Sequence, residues 1–404
     1  MKPESITKKY TLKVLSPLHV GYGDVYDPAN FILDAKNKEL LFLDMDKLLL
    51  GLSQDKIVKF SAICKQGEPI ALVKMYRFMA NQLEFVQRHP EVIKRKIKLA
   101  AGIPAHFDRV KNLSANQVKK GLNKFEILSL AYNPNTNQPI IPGSSIKGAL
   151  RTAILNFYQD GIDKQFLEKV DLKKRSQTME QKILGYKYAK DDILKRIKIS
   201  DFVPVEDVKT KIVYAVNVKK GGRQGSGVYQ LFEVIEPGTV FKGSITVVKN
   251  LDKNPSIELS IEAIEKALSA FFGKVLQEED KVIQRLGAKL PLSGAGVELK
   301  VGRHSGAEAV TVEKFRHIKI NQGKGREPIY LSHSTTIWLA TETARNYDLA
   351  SAMPFGRVSL ESGSNSSRLK NKRVQDNACK KTIQKQPVKA NLDFSGLKQR
   401  FKVK

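Results

Sequence analysis

Residues 10–14 alternate between apolar and polar side chains, which is typical of a strand with one buried face. Two apolar runs follow at 31–33 and 40–43, and the turn-forming residues 36–38 separate them. The chain is therefore predicted to begin with three strands, the last two joined by a short turn.

From about residue 46 to residue 122 the apolar spacing changes to that of helices. Apolar side chains recur at steps of three and four between Leu72 and Leu83, so they share one helix face. We interpret the basic stretch 94–98 as part of a further helix. The pattern therefore predicts a helical insert at about 46–122 within a smaller α+β unit.

Another helix is predicted to begin at about Ser145, after a strand pattern at 125–132 and a segment with proline and glycine at 139–143. The apolar stripe between Ile261 and Val275 predicts a helix that faces the core. Further strand patterns occur at 196–203, 210–218, 228–235, 239–248, 297–301, 336–339 and 357–360.

This order of elements predicts an α+β fold of two tandem ferredoxin-like domains, although a less regular mixed sheet satisfies the same spacings. We place the N-terminal domain at 1–203, including the insert, and the C-terminal domain at 204–362. Residues 363–404 contain twelve basic and two acidic residues and lack a hydrophobic pattern. This basic tail is predicted to be disordered, or to become ordered on a partner.

The charge balance narrows the class of partner. The 404 residues include 69 Lys and Arg against 41 Asp and Glu, a formal net charge of +28. Such a surface attracts polyanions, most commonly nucleic acid, and an anionic membrane surface is the main alternative. No apolar run approaches the roughly 20 residues that span a bilayer, and the first five residues do not resemble a signal peptide. We therefore expect a cytoplasmic protein with no membrane partner.

The cysteines and histidines give no sign of a metal site. Cys64 and Cys379 lie far apart with no C-x-x-C spacing, and the six histidines form no H-E-x-x-H motif. A disulfide framework and a cysteine-based zinc site are both unsupported. No metal or cofactor is expected.

The start of the helix near residue 145 has the composition of an anion site. Gly143, Ser144 and Ser145 stand before the predicted helix, so unpaired backbone N–H groups and the positive helix end would point to one place. Ser144 or Ser145 could also cap the helix.

The same helix carries two cations in its first turns. Lys147 and Arg151 are four residues apart and would share a face, while Gly148 would let another backbone approach closely. The plainer interpretation is a capped helix start with solvated side chains. A Walker P-loop is excluded, because Lys147 precedes Gly148 and no Ser or Thr follows in the Mg²⁺-binding position.

A glycine-rich basic stretch at 219–227 could follow a phosphate path, and a plain hairpin tip is an equal alternative. Tyr214 or Tyr229 could stack on a base, although packing in the core is the more common use of such residues. The basic candidates in this region are Lys219, Lys220 and Arg223.

Two motifs make the chain recognisable. Pro-Gly-Ser-Ser-Ile-Lys-Gly-Ala-Leu-Arg at 142–151, after Leu-Ser-Pro-Leu-His-Val-Gly-Tyr-Gly at 15–23, resembles the RAMP superfamily of CRISPR proteins. The helical insert and the later glycine loop at 302–306 are most like one branch, the fifth Csm subunits, which cap the crRNA 3′ end in type III-A complexes. The resemblance covers about residues 8–361, and the segment 353–357 matches the family's late glycine turn only loosely.

The resemblance implies two ferredoxin-like (RRM-like) folds in a non-catalytic crRNA-binding subunit at one end of a filament of backbone RAMP subunits. Such a subunit assists crRNA maturation in antiviral defence. Its implied partners are crRNA, the backbone and small subunits of the Csm complex, target RNA indirectly, and host ribonucleases that trim the 3′ end. Matched by position, the candidate RNA contacts are Gly143, Ser144, Ser145, Lys147 and Arg151, with Gly302, Arg303, His304 and Gly306 as a second group.

Some RAMP proteins cleave RNA, so three residues are candidates for catalysis. Metal-free cleavage needs a general base and acid near the 2′-OH. His19 is interpreted as a packed strand-end residue, His304 as an RNA contact, and Asp24 as a turn former. We expect a non-catalytic binder. The alternatives are a RAMP-type endoribonuclease that processes CRISPR repeat RNA and a basic protein of a membrane surface or ribosome.

Overall fold

The computed structural model describes residues 5–119, 126–222, 229–248, 257, 259–323 and 325–363. Arg223 and the predicted tail from residue 364 onward lie outside these residues, as do the ends of the strand patterns at 125 and 228. Within them the chain is a mixed α+β fold with two large sheets, which confirms the predicted fold class.

Helices and strands are numbered in chain order. The helices are α1 (Met45–Gly51), α2 (Gln54–Cys64), α3 (Ile70–Ala80), α4 (Leu83–Arg88), α5 (Ile103–Lys111), α6 (Ala115–Lys119), α7 (Gly143–Phe157), α8 (Lys164–Glu168), α9 (Leu172–Leu184) and α10 (Ile261–Leu286). The strands are β1 (Ser5–Val14), β2 (Phe31–Asp34), β3 (Glu39–Leu43), β4 (Ile93–Leu99), β5 (Ile127–Leu128), β6 (Ile197–Ile199), β7 (Val203–Pro204), β8 (Thr210–Lys219), β9 (Gln230–Ile235), β10 (Val240–Val248), β11 (Val297–Lys300), β12 (Ile318–Ile320), β13 (Ile329–Leu331), β14 (Thr336–Thr341), β15 (Met353–Pro354) and β16 (Arg357–Ser362).

The first sheet is built around β1 and has the order β11-β16-β1-β10-β6, with β7 also paired to β10. All of these pairs are antiparallel. Leu12 of β1 lies opposite Phe241 on one side and Leu360 on the other. All three side chains are buried in a core that also includes the apolar faces of α7 and α10. Burial of this continuous apolar surface holds the two helices on the sheet.

The second sheet has the order β15-β14-β8-β4-β3-β2, and β9 pairs with both β8 and β5. Its β4–β8 and β5–β9 pairs are parallel, and its other pairs are antiparallel. Residues of α3 and α5 share a buried cluster with this sheet, including Tyr76 and Phe107, whose ring centroids are 5.4 Å apart. Strands β12 and β13 form a separate hairpin.

Strands from both sides of residue 203 enter each sheet. In the first sheet β1 pairs with β10, and in the second β4 pairs with β8. The division into domains at 203 and 204 stays a prediction about folding units, because the described residues show pairing rather than independent folding.

The prediction of a helix at 94–98 is wrong. This stretch belongs to β4, which pairs with β3 and β8. Lys96 and Lys98 are exposed, whereas Ile97 and Leu99 are buried, so the polar and apolar residues alternate with the period of a strand. The helical insert is therefore interrupted by a strand that extends the second sheet.

The predicted helices near 145 and 261 are confirmed as α7 and α10. In α7, Ile146, Leu150 and Ile154 are buried, whereas Phe157 at the end of the helix is exposed. Among the described residues, no helix combines the length and the apolar character needed to cross a membrane.

Candidate nucleic-acid interface

Three glycine-containing segments that are far apart in sequence meet at one groove of about 400 Å³. They are the loop 19–23, the first three turns of α7, and the loop 302–305. Helix α7 contributes four polar or small residues, Ser145, Gly148, Ala149 and Thr152. No Asp or Glu is among the described residues that line the groove, so nothing in its lining repels a polyanion.

The loop at 302–305 is held in place by the loop at 19–23. Gly302 has φ +79°, and a Cβ at this position would lie 2.3 Å from the His19 carbonyl oxygen. The Arg303 backbone N–H donates to that same oxygen at 2.9 Å. Only glycine satisfies both the left-handed backbone and the close approach, so Gly302 fixes the wall of the groove.

Arg303 presents an exposed positive charge at the groove. Its guanidinium lies 5.5 Å from the centroid of the Phe232 ring, which orients the side chain by a cation–π contact. Among the described residues no carboxylate pairs with Arg303. A planar guanidinium that pairs with no carboxylate is suited to bidentate contact with a phosphate.

His304 uses its ring inside the protein. The ring stacks on Trp338 with centroids 4.1 Å apart and an interplanar angle of 18°, and its Nε2 lies 3.1 Å from Gln230 Oε1. The backbone of His304 is left-handed, with φ +61°. Its imidazole therefore supports the loop, and the direct RNA contact that the sequence suggested for it stays a prediction.

His19 is packed as the sequence suggested, with 3% of its surface exposed. Its Nδ1–H donates to the Glu233 carbonyl oxygen at 2.7 Å. Burial lowers the pKa of His19 to about 4 and, together with the nearby Arg303 charge, that of His304 to about 3. Both rings are neutral at pH 7, so neither supplies the protonated imidazole that acid catalysis of RNA cleavage would use.

The two cations of α7 point away from the groove lining and bond within the protein. Arg151 Nε donates to Glu180 Oε2 at 2.9 Å, and its Nη1 and Nη2 donate to Asp192 Oδ2 at 3.1 Å and 3.0 Å. Hydrogen bonding to Glu180 and the charge of both carboxylates raise the pKa of Arg151. Lys147 donates to the Ile197 carbonyl oxygen at 2.9 Å, and burial lowers its pKa. These contacts tie α7 to α9 and β6.

The first N–H group of α7, that of Gly143, is also bonded within the protein. The helix begins after Pro142 without a side-chain cap from Ser144 or Ser145, so the predicted serine cap is wrong. Asp201 instead accepts the Gly143 N–H at 2.9 Å, which places a carboxylate where the sequence predicted an external anion. A Cβ on Gly143 would lie 2.4 Å from the Ile199 carbonyl oxygen, so this glycine permits tight packing.

The candidates near residue 219 lie apart from the lining of the groove. Lys220 donates to the Glu308 carboxylate at 2.8 Å, and the Ser334 hydroxyl donates to the same carboxylate. Lys219 is exposed at the end of β8. Tyr214 is buried and packs edge-on against Tyr229 with centroids 5.4 Å apart. Tyr214 is therefore a core residue.

Several residues of the groove were not selected from the sequence. Gly21, Thr152 and Ser305 line it, and so does Lys300, whose charge is neutralised by Glu279 at 2.6 Å. The motif at 15–23 was a usable signal for Gly21. Gly306 adopts φ +97° just beyond the lining residue Ser305, so it shapes the loop from outside. Among the described residues, no cluster of His, Cys, Asp and Glu could hold a metal ion.

A family model described as the RAMP superfamily matches residues 11–289, which include the loop at 19–23 and the whole of α7. The chain belongs to the RAMP superfamily. Two of the three segments that form the groove of this RAMP protein thus lie within the matched region.

The RAMP chain is similar to the protein named CRISPR system Cms protein Csm5 from Streptococcus thermophilus. The two are 28% identical over 157 residues, which is 39% of this chain and 40% of the relative. The match therefore spans less than half of the relative's length.

Two solved structures share the fold. A chain of a Csm-crRNA-target RNA ternary complex from a type III-A CRISPR-Cas system is 19% identical, with a TM-score of 0.54 over 88% of this chain and all of that one. Csm5 of T. onnurineus is 18% identical, with a TM-score of 0.53 over 86% of this chain and 99% of that one.

Proposed function

We propose that this RAMP protein is a crRNA-binding subunit of a type III-A Csm interference complex. The observation that carries the proposal is the convergence of three glycine-containing segments on a groove with an exposed arginine and no acidic residue among the described residues of its lining. Small side chains let a ribose-phosphate backbone approach the main chain closely, and Arg303 supplies the charge. The partial similarity to Csm5 and the shared fold support the choice of complex.

Within that complex, the proposed position is at the end of the filament of backbone RAMP subunits, where the groove would hold the 3′ portion of the guide. The partners would be crRNA, the backbone and small subunits, target RNA through the guide, and host ribonucleases that trim the 3′ end. This role places the protein in the cytoplasm and in antiviral defence. It requires binding and maturation assistance but no cleavage by this chain.

The neutral histidines support a binding role over catalysis. His19 and His304 are the candidate acid–base residues, and both have a lowered pKa because of burial. A general base works best when its pKa lies near the operating pH. The proposal is therefore of a non-catalytic subunit that positions RNA.

The groove is tested by a substitution that the fold tolerates. A Cβ on Gly148 would meet no atom of the described residues within 4 Å, and the same holds for Gly273 on the exposed side of α10. Gly148→Glu would place a carboxylate in the groove, and Gly273→Glu is the matched control. We expect Gly148→Glu to weaken binding of crRNA by about tenfold or more, and Gly273→Glu to bind as the unmodified chain does. Equal affinity of both variants for crRNA would contradict the proposal.

The choice of complex is tested separately by purification from the native host. Sequencing of the bound RNA and identification of the bound proteins should give crRNA and Csm subunits. Incubation of the isolated chain with CRISPR repeat RNA tests the processing alternative. Cleavage at one defined position, abolished in His19→Ala or His304→Ala, would replace the binding role with an endoribonuclease role.

A further inference from the structure

Three partly exposed aromatic rings lie outside the groove on consecutive elements. Phe157 ends α7, Phe166 is on α8, and Tyr188 is on the turn after α9. Their exposed fractions are 39%, 41% and 56%. Helix α9 packs against both α7 and α8, so the rings belong to one helical layer. None of them contributes to the core that holds the first sheet.

Each of these rings has a lysine ammonium close to it. The distance from the lysine Nζ to the ring centroid is 5.6 Å for Lys266 at Phe157 and 5.3 Å for Lys182 at Phe166. Tyr188 has two such neighbours, Lys187 at 5.5 Å and Lys190 at 5.6 Å. These distances fall within the range of about 6 Å in which cations favour an aromatic face.

The turn that carries Tyr188 is held in a defined conformation. Gly185, which follows the last residue of α9, has φ +67°. The Gln181 side-chain amide donates to the Lys187 carbonyl oxygen at 3.0 Å. The Asp191 backbone N–H donates to the Tyr188 carbonyl oxygen at 2.8 Å. Because the backbone on both sides of Tyr188 is bonded, little conformational entropy would be lost when a ligand stacks on its ring.

The positive charge of this layer is not cancelled by its own acids. Residues 164–198 contain eleven Lys or Arg and five Asp or Glu. Glu180 and Asp192 bond Arg151, and Asp171 accepts the Lys173 N–H at the start of α9. Among the described residues, no carboxylate pairs with Lys182, Lys187 or Lys190.

We propose a second binding surface for single-stranded RNA, separate from the groove and formed by Phe166, Tyr188 and the lysines beside them. Bases would stack on Tyr188 and Phe166, and the adjacent lysines would contact phosphates, a combination typical of proteins that bind single strands. A protein partner is less suited to the surface, because lysine is depleted at the centre of protein interfaces. The inference rests on the proposed function, since its occupant is RNA that extends beyond the groove.

The test uses the full chain and two RNAs. One is about 8 nucleotides long and the other about 30, because binding modules for single strands cover about 4–16 nucleotides. In Phe166→Leu/Tyr188→Leu, both rings are removed while apolar bulk is kept at exposed positions. We expect affinity for the long RNA to fall about five- to tenfold, because the bases no longer stack, and affinity for the short RNA to stay unchanged.

Two controls separate stacking from other effects. Tyr188→Phe keeps the ring and should bind the long RNA as the unmodified chain does. Tyr330→Leu removes a tyrosine of similar exposure that stacks on His317 in the β12–β13 hairpin, and it should also leave affinity unchanged. A variant with Lys182, Lys187 and Lys190 changed to Gln should reduce the salt dependence of long-RNA binding, by about 0.7 in slope for each phosphate that the protein no longer neutralises.

The outcomes distinguish this surface from the groove. Unchanged affinity of the double ring variant for the long RNA overturns the second surface, even where Gly148→Glu weakens both RNAs. If Gly148→Glu has no effect and the ring variant still binds the long RNA more weakly, the groove is contradicted and the second surface is supported. An equal fall in affinity in Tyr188→Phe and the double ring variant would also overturn it, because the ring would then not be the feature that binds.

Discussion

The residues of one sequence motif lie on two faces of helix α7, and the two faces have different roles. On one face, Arg151 bonds Glu180 and Asp192, and Lys147 bonds the main chain of β6. On the other face, Ser145 and Gly148 line the groove. The charged residues of the motif therefore hold the helix in place, whereas its small residues form the surface that a ligand can approach.

This difference changes which substitutions are informative. Lys147 and Arg151 are the residues that a motif-based argument would change first to remove RNA binding. Because both are partly buried and bonded to the fold, their replacement would alter stability together with any effect on RNA. Gly148 and Arg303 report on binding with less disturbance. Gly148 has no side chain, and Arg303, which contacts the Phe232 ring, pairs with no carboxylate among the described residues.

The largest expected effect is on stability and comes from the paired face. Arg151→Gln would leave Glu180 and Asp192 without their guanidinium partner, and we expect the free energy of unfolding to fall by about 2–3 kcal/mol. Denaturant unfolding of the full chain measures this. Affinity for RNA, corrected for the folded fraction, should be unchanged. A stable variant with weakened RNA binding would mean that Arg151 contacts the ligand after all.

The second effect is a decrease of stability in acid, which we attribute to His19 at the groove. The folded pKa of His19 is about 4 against an ordinary value of 6.5, so below pH 6.5 the unfolded chain binds the proton first. Stability should fall between pH 6.5 and 4, by about 2 kcal/mol at pH 5 from this residue. Thermal unfolding at several pH values checks it. In His19→Gln this part of the pH dependence should disappear, and an unchanged slope would exclude His19 as its source.

A smaller effect is expected on binding when the exposed charge of the groove is removed. Arg303→Gln should weaken crRNA binding by about five- to tenfold and reduce its salt dependence by about 0.7 in slope for one phosphate contact. The measurement is a titration at several salt concentrations. Arg326→Gln, which removes an exposed arginine near the β12–β13 hairpin, is the control and should keep the affinity of the unmodified chain. If the salt dependence of crRNA binding has the same slope in both variants, Arg303 is not part of the interface.

The smallest effect is expected at Gly148. An exposed glycine inside a helix is less favourable than alanine, and a Cβ on Gly148 would meet no atom of the described residues within 4 Å. Gly148→Ala should therefore raise the free energy of unfolding by about 0.5–1 kcal/mol and slightly weaken RNA binding. Calorimetry and binding titration together check this. Higher stability with unchanged affinity would show that the ligand backbone does not approach this position closely.

Much of the architecture could be predicted from short stretches of sequence. The apolar stripe of α10 and the buried face of α7 follow from helical spacing, and both helices are present. The prediction failed at strand β4, because its Lys and Arg residues also fit a helical surface although they alternate with Ile97 and Leu99. A strand with one basic face needs its partner strands to be recognised, and β8, one of those partners, is distant in sequence.

The candidate site divides in the same way. The glycine-containing segments at 143–148 and 302–306 could be selected from residue types, and both reach the groove through Ser145, Gly148 and Gly302. The bonding of each cation could not be predicted in this manner. Lys147, Arg151 and Lys220 bond within the protein, and Arg303 remains exposed.

Local spacing, residue type and net charge were sufficient for the fold class, the basic character and the glycine motifs, because these are properties of short segments or of the whole composition. Which polar groups stay free depended on tertiary structure. Glu180, Asp192 and Asp201 reach α7 from 29, 41 and 58 positions along the chain. A carboxylate brought within bonding distance neutralises a cation or a helix end, so chain folding, rather than the motif itself, determined that the groove lies on the glycine face of α7.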